Sequence, residues 1–293
     1  MTTPPAELEL AVDGGALRVL RFGEGPRTAV AAHGITASGM SFRALARHLP
    51  PDWSLFALDL RGRGGSAAAP GPYGFDTHAA DLCAVAERWG GGARVALAGH
   101  SMGACVALRA AARRPELFDR LLLIDGGLPV PAAPDADPDA LLDASLGPIL
   151  ARLSRTFDGD EAYVSQFRAH PALGPDWNDD IEAYVRYDIT GPEGARRSRA
   201  LEGPVRRDGR ELLTSAAALA EDLAGLSVPT KVLYAPRGTT GAEPGVLDAG
   251  LVARWTSRTS LLTAEAIPEC NHFTILMSGT PAKTVADRLV SMA

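Results

Sequence analysis

Cysteine is scarce in this chain, with three residues in 293. Cys83, Cys105 and Cys270 are odd in number and too widely spaced for a metal cluster, so we expect reduced thiols and no metal site. Cys83 and Cys105 fall in segments of helical spacing, which predicts small core residues. Cys270 lies two residues before His272. A catalytic thiol is nevertheless disfavoured there, because a serine motif upstream already offers a nucleophile.

Positive charge is not in excess: 29 Lys and Arg face 35 Asp and Glu, for a formal net charge of −6. This balance argues against nucleic acid or an anionic membrane surface as a partner, since both favour a basic patch. The short arginine clusters are interspersed with acids and are predicted to be solvated helix faces. They comprise Arg196, Arg197, Arg199, Arg206 and Arg207.

Long apolar runs are also missing, which argues against a membrane span. The segment Met1-Thr2-Thr3-Pro4-Pro5 lacks the basic and apolar pattern of a leader. We therefore expect a cytoplasmic protein, a monomer or homodimer, that acts on a small molecule. The hydrophobic content of 46% is ample for a sizeable core.

The stretch Gly99-His100-Ser101-Met102-Gly103 lies between an apolar run over 94–98 and an alanine-rich run over 104–113. The first run is typical of a buried strand and the second of a helix. A serine at a sharp strand-to-helix turn is a nucleophile elbow, and the flanking glycines let the turn form without a clash. The positive end of the following helix would face an oxyanion formed beside Ser101.

The remaining pattern alternates strands with helices, which predicts an α/β fold with a mostly parallel sheet covered on both faces. A hairpin is predicted over 8–22, and helices over 41–49, 77–89, 247–255 and 280–292. Strands are predicted over 28–32, 53–58, 121–124, 230–234 and 260–266. No convincing strand falls within 128–221. We therefore expect a core domain from 1–127 and 223–293, and a helical cap domain over 128–222.

Four motifs occur in the order that one family uses: His33-Gly34, the loop from Asp59 to Ser66, the elbow, and Asn271-His272-Phe273. The chain resembles the α/β-hydrolases over essentially its whole length. The resemblance implies a mostly parallel eight-stranded sheet, a cap inserted after the sixth strand, and no cofactor. It also implies that Ser101 is the nucleophile and that His272, after the last strand, is its base.

The acid departs from the commonest family pattern. The place after the seventh strand reads Tyr234-Ala235-Pro236-Arg237-Gly238-Thr239-Thr240, without a carboxylate. Branches similar to haloalkane dehalogenases and some lactone hydrolases take the acid from the end of the sixth strand, which here is Asp125. That choice keeps the order Ser, acid, His. Asp125 could instead bond only backbone N–H groups in its turn. Glu243, and after it Asp248, are the alternatives, since their loop could fold back onto His272.

The resemblance also implies an oxyanion hole made by the backbone N–H groups of Ile35 and Met102. His33 and His100 are expected to brace their turns, and the other histidines apart from His272 are expected at the surface. The Asp59 loop is interpreted as structural, with Arg61 tied to nearby carbonyl groups, because no G-K-[ST] follows its glycines.

The predicted cap carries six aromatic residues that could roof the site and bind substrate, although each could equally pack the cap itself. They are Phe157, Tyr163, Phe167, Trp177, Tyr184 and Tyr187. The sequence thus favours a serine hydrolase that cleaves an ester, lactone or thioester of a small hydrophobic substrate. The alternatives are a carbon–carbon bond hydrolase and a non-hydrolytic cyclase or ligand-binding protein. The missing acid after the seventh strand favours a non-hydrolytic protein, and the intact Ser101 and His272 oppose it.

Overall fold

The computed structural model describes residues 4–131 and 137–292. Residues 1–3, 132–136 and 293 lie outside that description. Part of the segment in which no leader was recognised, and a short stretch of the predicted cap, are therefore outside it too.

Ten strands are present in the described residues, and eight of them form one sheet in the order β1-β2-β4-β3-β5-β6-β9-β10. The hairpin strands β1 and β2 pair antiparallel, as do β2 and β4, and all other neighbours in this sheet are parallel. The strands are β1 (Ala6–Val12), β2 (Gly15–Phe22), β3 (Arg27–Ala32), β4 (Trp53–Leu58), β5 (Val95–His100), β6 (Phe118–Ile124), β7 (Ile189–Thr190), β8 (Arg197–Ser198), β9 (Thr230–Tyr234) and β10 (Leu262–Ala266).

Helices cover both faces of the sheet because alternate residues of the central strands point to opposite sides. Val30 and Leu97 belong to one apolar cluster, with residues of α2 and α3. Ala29 and Ala96 belong to the other, with residues of α1 and α11. The helices are α1 (Arg43–Ala46), α2 (Phe75–Trp89), α3 (Met102–Arg113), α4 (Pro138–Leu153), α5 (Asp160–Arg168), α6 (Asp179–Tyr187), α7 (Glu202–Thr214), α8 (Ala216–Ala224), α9 (Ala249–Thr256), α10 (Thr274–Met277) and α11 (Gly279–Ser291).

The predicted α/β fold with a mostly parallel eight-stranded sheet is confirmed. Two local expectations were wrong. The segment expected to hold no strand contains β7 and β8, which pair antiparallel and are too short to leave an alternating pattern in the sequence. The helix expected over 41–49 is a 3₁₀ turn, Gly39–Phe42, followed by the four-residue α1.

Helices α4 to α8 lie between β6 and β9, so the chain leaves the sheet directly after Asp125 and returns to it beside β6. α4 packs against α7, and α8 packs against the core helix α3. The insertion therefore rests on the layer that carries the elbow.

Candidate active site

Ser101 occupies the turn between β5 and α3 in a strained conformation, with φ of +57° and ψ of −123°. The turn is possible because the two residues whose backbones closely approach neighbouring carbonyl groups, Gly99 and Gly103, are glycines. A Cβ at Gly99 would lie 2.2 Å from the Gly103 carbonyl oxygen, and a Cβ at Gly103 would lie 2.2 Å from that of Ala32. The strain holds the Ser101 side chain out of the sheet, half-buried, at the amino-terminal end of α3.

Three side chains far apart in sequence meet at this point. The Ser101 Oγ lies 3.0 Å from Nε2 of His272, and the His272 Nδ1 lies 2.7 Å from Oδ2 of Asp125. Asp125 is fully buried and His272 is 5% exposed, so water does not compete for the bond between them. The Nδ1–H donates to the carboxylate, which leaves Nε2 free to accept a proton from the serine hydroxyl.

Asp125 is held by the turn that follows β6. Its backbone has a φ of +46°, and its N–H donates to the Leu233 carbonyl over 2.7 Å. The second carboxylate oxygen, Oδ1, accepts from the Ala235 N–H over 3.1 Å. The side chain therefore both bonds the backbone and reaches His272, so the two roles considered for it coexist.

The two alternative carboxylates lie elsewhere. Asp248 caps α9, where its Oδ1 accepts from the Leu251 N–H over 2.8 Å, and Glu243 is exposed. Within the described chain, the carboxylate hydrogen-bonded to His272 is that of Asp125.

The loop that carries His272 is anchored to the insertion by Asn271, which is 1% exposed. Its Nδ2 donates to the Ala172 carbonyl over 2.8 Å, while its Oδ1 accepts from the Phe273 N–H over 2.9 Å. Cys270 is buried beside it and donates through Sγ to the Ile267 carbonyl. Burial raises the pKa of the Cys270 thiol to about 12, so this sulfur stays protonated and unreactive.

The two predicted oxyanion donors lie in backbone segments that adjoin Ser101. The Met102 N–H is the first of α3 and has no acceptor within the helix. A Cβ at Gly34 would lie 3.6 Å from the Ser101 Oγ, which places the Gly34-Ile35 peptide against the serine. Among the backbone hydrogen bonds of the described residues, none occupies the N–H of Ile35. Both groups remain predicted donors.

His33 and His100 are buried, neutral side chains that hydrogen-bond to backbone groups of the neighbouring loops. Nε2 of His33 accepts from the Leu60 N–H over 3.0 Å, so its Nδ1–H donates to the Gly34 carbonyl over 2.7 Å. His100 donates through Nε2 to the His272 carbonyl over 2.7 Å. Burial lowers the pKa of each imidazole to about 3, because a charged ring would lose its hydration.

The Asp59 loop is held together by buried charges. Asp59 accepts from the N–H groups of Gly39 and Gly65 over 2.6 and 2.7 Å, and from the Tyr187 hydroxyl over 2.7 Å. Burial raises its pKa to about 6 in spite of these bonds. Arg61 donates to the Pro70 carbonyl and makes a two-pronged ion pair with Asp81. The charged side chains of this loop are thus bonded within the protein.

These buried groups give a pH dependence of stability. His33 and His100 bind a proton more readily when unfolded, so each removes stability as the pH falls below about 6.5, roughly 2 kcal/mol by pH 5. Asp59 binds its proton more readily when folded and returns about 1 kcal/mol over the same interval. We expect these three groups to lower the free energy of unfolding by about 3 kcal/mol between pH 7 and pH 5, measured by urea titration. His100→Gln should flatten that dependence by about 2 kcal/mol, and an unchanged slope would refute the assignment.

Among the six aromatic residues of the insertion, three pack on one another and three donate hydrogen bonds to acidic side chains. The Tyr163 ring lies 5.0 Å from that of Phe157 and 5.3 Å from that of Phe167. The Tyr163 hydroxyl donates to Asp188, and the Trp177 Nε1–H donates to Glu182. Tyr184 is partly buried in the same cluster, while Tyr187 is bonded to Asp59 as described above. Substrate contact by any of the six stays a prediction.

Sequence reasoning missed a buried group of charges beside the site, made of Arg63, His78 and Asp208. All three are fully buried, whereas His78 was expected at the surface. The sequence signal for this group of charges was an arginine between two loop glycines. Asp208 sits in an arginine-rich helix that was interpreted as solvated.

The family model of the alpha/beta hydrolase fold matches residues 30–179, just over half of the chain. The chain belongs to the α/β-hydrolase family. This α/β-hydrolase is 38% identical over 110 residues to lipase LipV of Mycobacterium tuberculosis. The aligned region covers 37% of this chain and 41% of the lipase. It is 36% identical over 126 residues to N-formylmaleamate deformylase of Pseudomonas putida, covering 43% of this chain and 47% of the deformylase. The matches thus span less than half the length of these curated relatives.

Solved structures share this fold over nearly the whole length of the chain. An E-2-(acetamidomethylene)succinate hydrolase superposes with a TM-score of 0.77 and 22% identity, over 98% of this chain and 99% of its own. The thioesterase domain from the curacin biosynthetic pathway superposes with a TM-score of 0.74 and 18% identity, over 99% and 100% of the two chains. Identities this low establish the common fold alone.

Membrane-crossing helices and metal sites are both absent from the described part of the chain. No helix in the described ranges is both long and apolar enough to cross a membrane. Across the same residues, no group of His, Cys, Asp and Glu side chains is arranged to hold a metal ion.

Proposed function

We propose that this α/β-hydrolase is a serine hydrolase that cleaves a carboxylic ester, lactone or thioester of a small hydrophobic substrate through an acyl-enzyme. The observation that carries the proposal is the continuous hydrogen-bonded chain from Ser101 through His272 to Asp125, with distances of 3.0 and 2.7 Å. A serine hydroxyl is a poor nucleophile near pH 7 unless a base removes its proton during attack. His272 is in reach to do this.

Each step of the reaction has a group in place. His272 Nε2 takes the proton of Ser101 as Oγ attacks the carbonyl carbon, and Asp125 stabilises the imidazolium that forms. The N–H groups of Met102 and Ile35 receive the negative charge that develops on the carbonyl oxygen. His272 then protonates the leaving alcohol or thiol. His272 next removes a proton from water, whose oxygen attacks the acyl carbon, and it gives that proton to Ser101 Oγ as the acyl–serine bond breaks and the acid is released.

An apolar substrate is supported by what lies above Ile35. A Cβ built on Gly209 of α7 would lie 2.6 Å from Leu142, 3.2 Å from Leu146 and 3.4 Å from Ile35. These aliphatic side chains, from α4 and from the loop over residues 33–37 that we call the oxyanion loop, meet at one point against α7. We infer that residues 128–222 act as a cap and that aliphatic groups of α4 contribute to its inner surface, alongside any contact from the six aromatics.

The curated relatives support the cleavage of an acyl bond. A lipase acts on oxygen esters, which fits the leading proposal. The likeness to a deformylase favours a second candidate, removal of an acyl group from nitrogen. The same residues serve both reactions. An amide nitrogen is a poorer leaving group than an ester oxygen, so its departure depends more strongly on protonation by His272.

Labelling with a fluorophosphonate tests the proposal. We expect rapid labelling of the native protein at Ser101, located by peptide mass spectrometry, and none after heat denaturation. Ser257→Ala, which alters an exposed serine after α9, should label normally and serves as the control. Hydrolysis of p-nitrophenyl esters, an acyl thioester and an N-formyl amide then ranks the bond types. A native protein that neither labels nor hydrolyses any of them would overturn the proposal in favour of a binding role.

A further inference from the structure

Arg63 is a fully buried arginine that joins three parts of the molecule. Its Nε donates to the Ile35 carbonyl over 2.9 Å, and its Nη1 donates to the Arg61 carbonyl over 2.9 Å. Nη1 also pairs with Oδ2 of Asp208, which comes from α7 of the insertion. The same carboxylate oxygen lies 3.0 Å from Nε2 of His78 on α2. One cluster therefore connects the oxyanion loop, the Asp59 loop, α2 and α7.

The bond to Ile35 matters because of where this residue lies. The Ile35 N–H belongs to the peptide group whose carbonyl is that of Gly34, and that carbonyl accepts from Nδ1 of His33 and from the Ala37 N–H over 2.7 and 3.0 Å. The next peptide group carries the Ile35 carbonyl held by Arg63. Both peptide planes around Ile35 are thus fixed by hydrogen bonds, and the direction of its N–H with them.

Helix α7 reaches Ile35 by a second route. The residue after Asp208 is Gly209, and a Cβ there would lie 3.4 Å from Cδ1 of Ile35. The helix therefore passes close to the Ile35 side chain and is linked to the Ile35 carbonyl through Asp208 and Arg63. A shift of α7 would disturb both contacts at once.

Because Arg63 and Asp208 are both buried, each charge depends on the other for its stability. Burial would raise the pKa of Asp208, but the hydrogen bond from His78 and the charge of Arg63 outweigh it and lower that pKa, so the carboxylate is ionised. A buried guanidinium and a buried carboxylate each need the other, since either one left unpaired in an apolar interior is strongly unfavourable. The position of the Arg63 side chain is consequently set by Asp208.

We propose that Arg63 and Asp208 are positioning residues which hold Ile35 in the orientation that receives the oxyanion, so that the docking of α7 and the assembly of the oxyanion hole are one event. The proposal rests on the function proposed above. Neither residue touches the reacting atoms, and both act through the backbone of Ile35.

The test separates positioning from mere structural support by removing the charges together. Arg63→Met with Asp208→Leu leaves no unpaired charge, but it removes the partner of His78 Nε2, so thermal unfolding is measured beside the kinetics to show that the variant is folded while the bond to Ile35 is lost. We expect kcat to fall on the order of tenfold to a hundredfold with KM little changed, because the loss is confined to the transition state. Affinity for a trifluoromethyl ketone, which forms a tetrahedral oxyanion adduct with the serine, should fall by the same factor.

Arg61→Met with Asp81→Leu is the matched control. This pair is also buried and lies in the same loop, but its side chains make no bond to Ile35. We expect kcat and ketone affinity within about twofold of the parent protein.

Arg63→Lys is the second variant. It keeps the charge beside Asp208 but cannot span all three acceptors with one nitrogen, so it should retain stability and still lose kcat. Parental kcat and ketone affinity in the folded Arg63 and Asp208 double variant, or in Arg63→Lys, would overturn the positioning role. Fluorophosphonate labelling of the parent protein at Ser101 would show in the same experiment that the proposed function itself stands.

Discussion

Ser101→Ala is expected to abolish turnover, with kcat reduced on the order of 10⁶-fold, while the protein stays folded and still binds its substrate. The hydroxyl is the only nucleophilic atom that His272 Nε2 contacts in the described structure, at 3.0 Å. Alanine keeps the Cβ and the strained turn, so the glycine contacts around it are unaffected. Steady-state kinetics on an ester substrate, with thermal unfolding run beside it, measures both parts.

The sizes of the two effects make the result decisive. Loss of one hydroxyl that bonds a single side chain costs about 1 kcal/mol of stability, far too little to explain lost activity through unfolding. Ser257→Ala again provides the control for an exposed serine. Turnover of Ser101→Ala above about a hundredth of the parent rate would show that another nucleophile does the chemistry.

The parts of this fold that could be predicted are those in which local pattern and burial agree. β4 and β5 are buried along their whole length, so they appear in the sequence as mainly apolar runs, and their positions were predicted to within two residues. The elbow was predictable for a different reason. Its two glycines are required because backbone atoms lie too close to leave room for a Cβ. A requirement for glycine at fixed positions can be recognised from the sequence itself.

The geometry of Asp125 could be anticipated only through its position in the chain order. A strand end beside the elbow strand is a fixed place in a parallel sheet, so the residue after β6 had to lie near Ser101. Pattern could not choose between Asp125 and Glu243, because a loop such as the one after β9 has no periodicity to fix where it folds. The structure favours Asp125 by distance alone.

The buried cluster of Arg63, His78 and Asp208 shows what sequence patterns leave out. Arg63 and Asp208 are 145 residues apart, and each has an ordinary local context, a polar loop and an exposed-looking helix. Their burial results from the docking of α7 on the core, which is a tertiary event with no local signature. The aromatic residues of the insertion illustrate the converse. Composition indicated that they could roof the site or pack within the cap, but their packing partners depend on helix positions that composition does not encode.

Asp125→Asn is expected to lower kcat about 10⁴-fold, and the structure explains why so small a change should cost so much. Oδ1 of Asp125 accepts from the Ala235 N–H, so an asparagine would keep its oxygen on that side and turn its NH₂ group toward His272. Facing a donor, the imidazole must present Nδ1 as an acceptor and carry its proton on Nε2. That tautomer cannot accept the proton of Ser101. The nucleophile would remain in place without a base.

Two matched variants decide whether the effect belongs to this carboxylate. Glu243→Gln alters an exposed side chain and should leave kcat within about twofold of the parent. Asp248→Asn exchanges one good helix cap for another, so its stability and kcat should also change little. A collapse of kcat in Glu243→Gln with normal turnover in Asp125→Asn would reassign the acid to the loop after β9. The fully buried Asp125 would then be only a brace for the turn, since its bond to Ala235 alone requires no catalytic role.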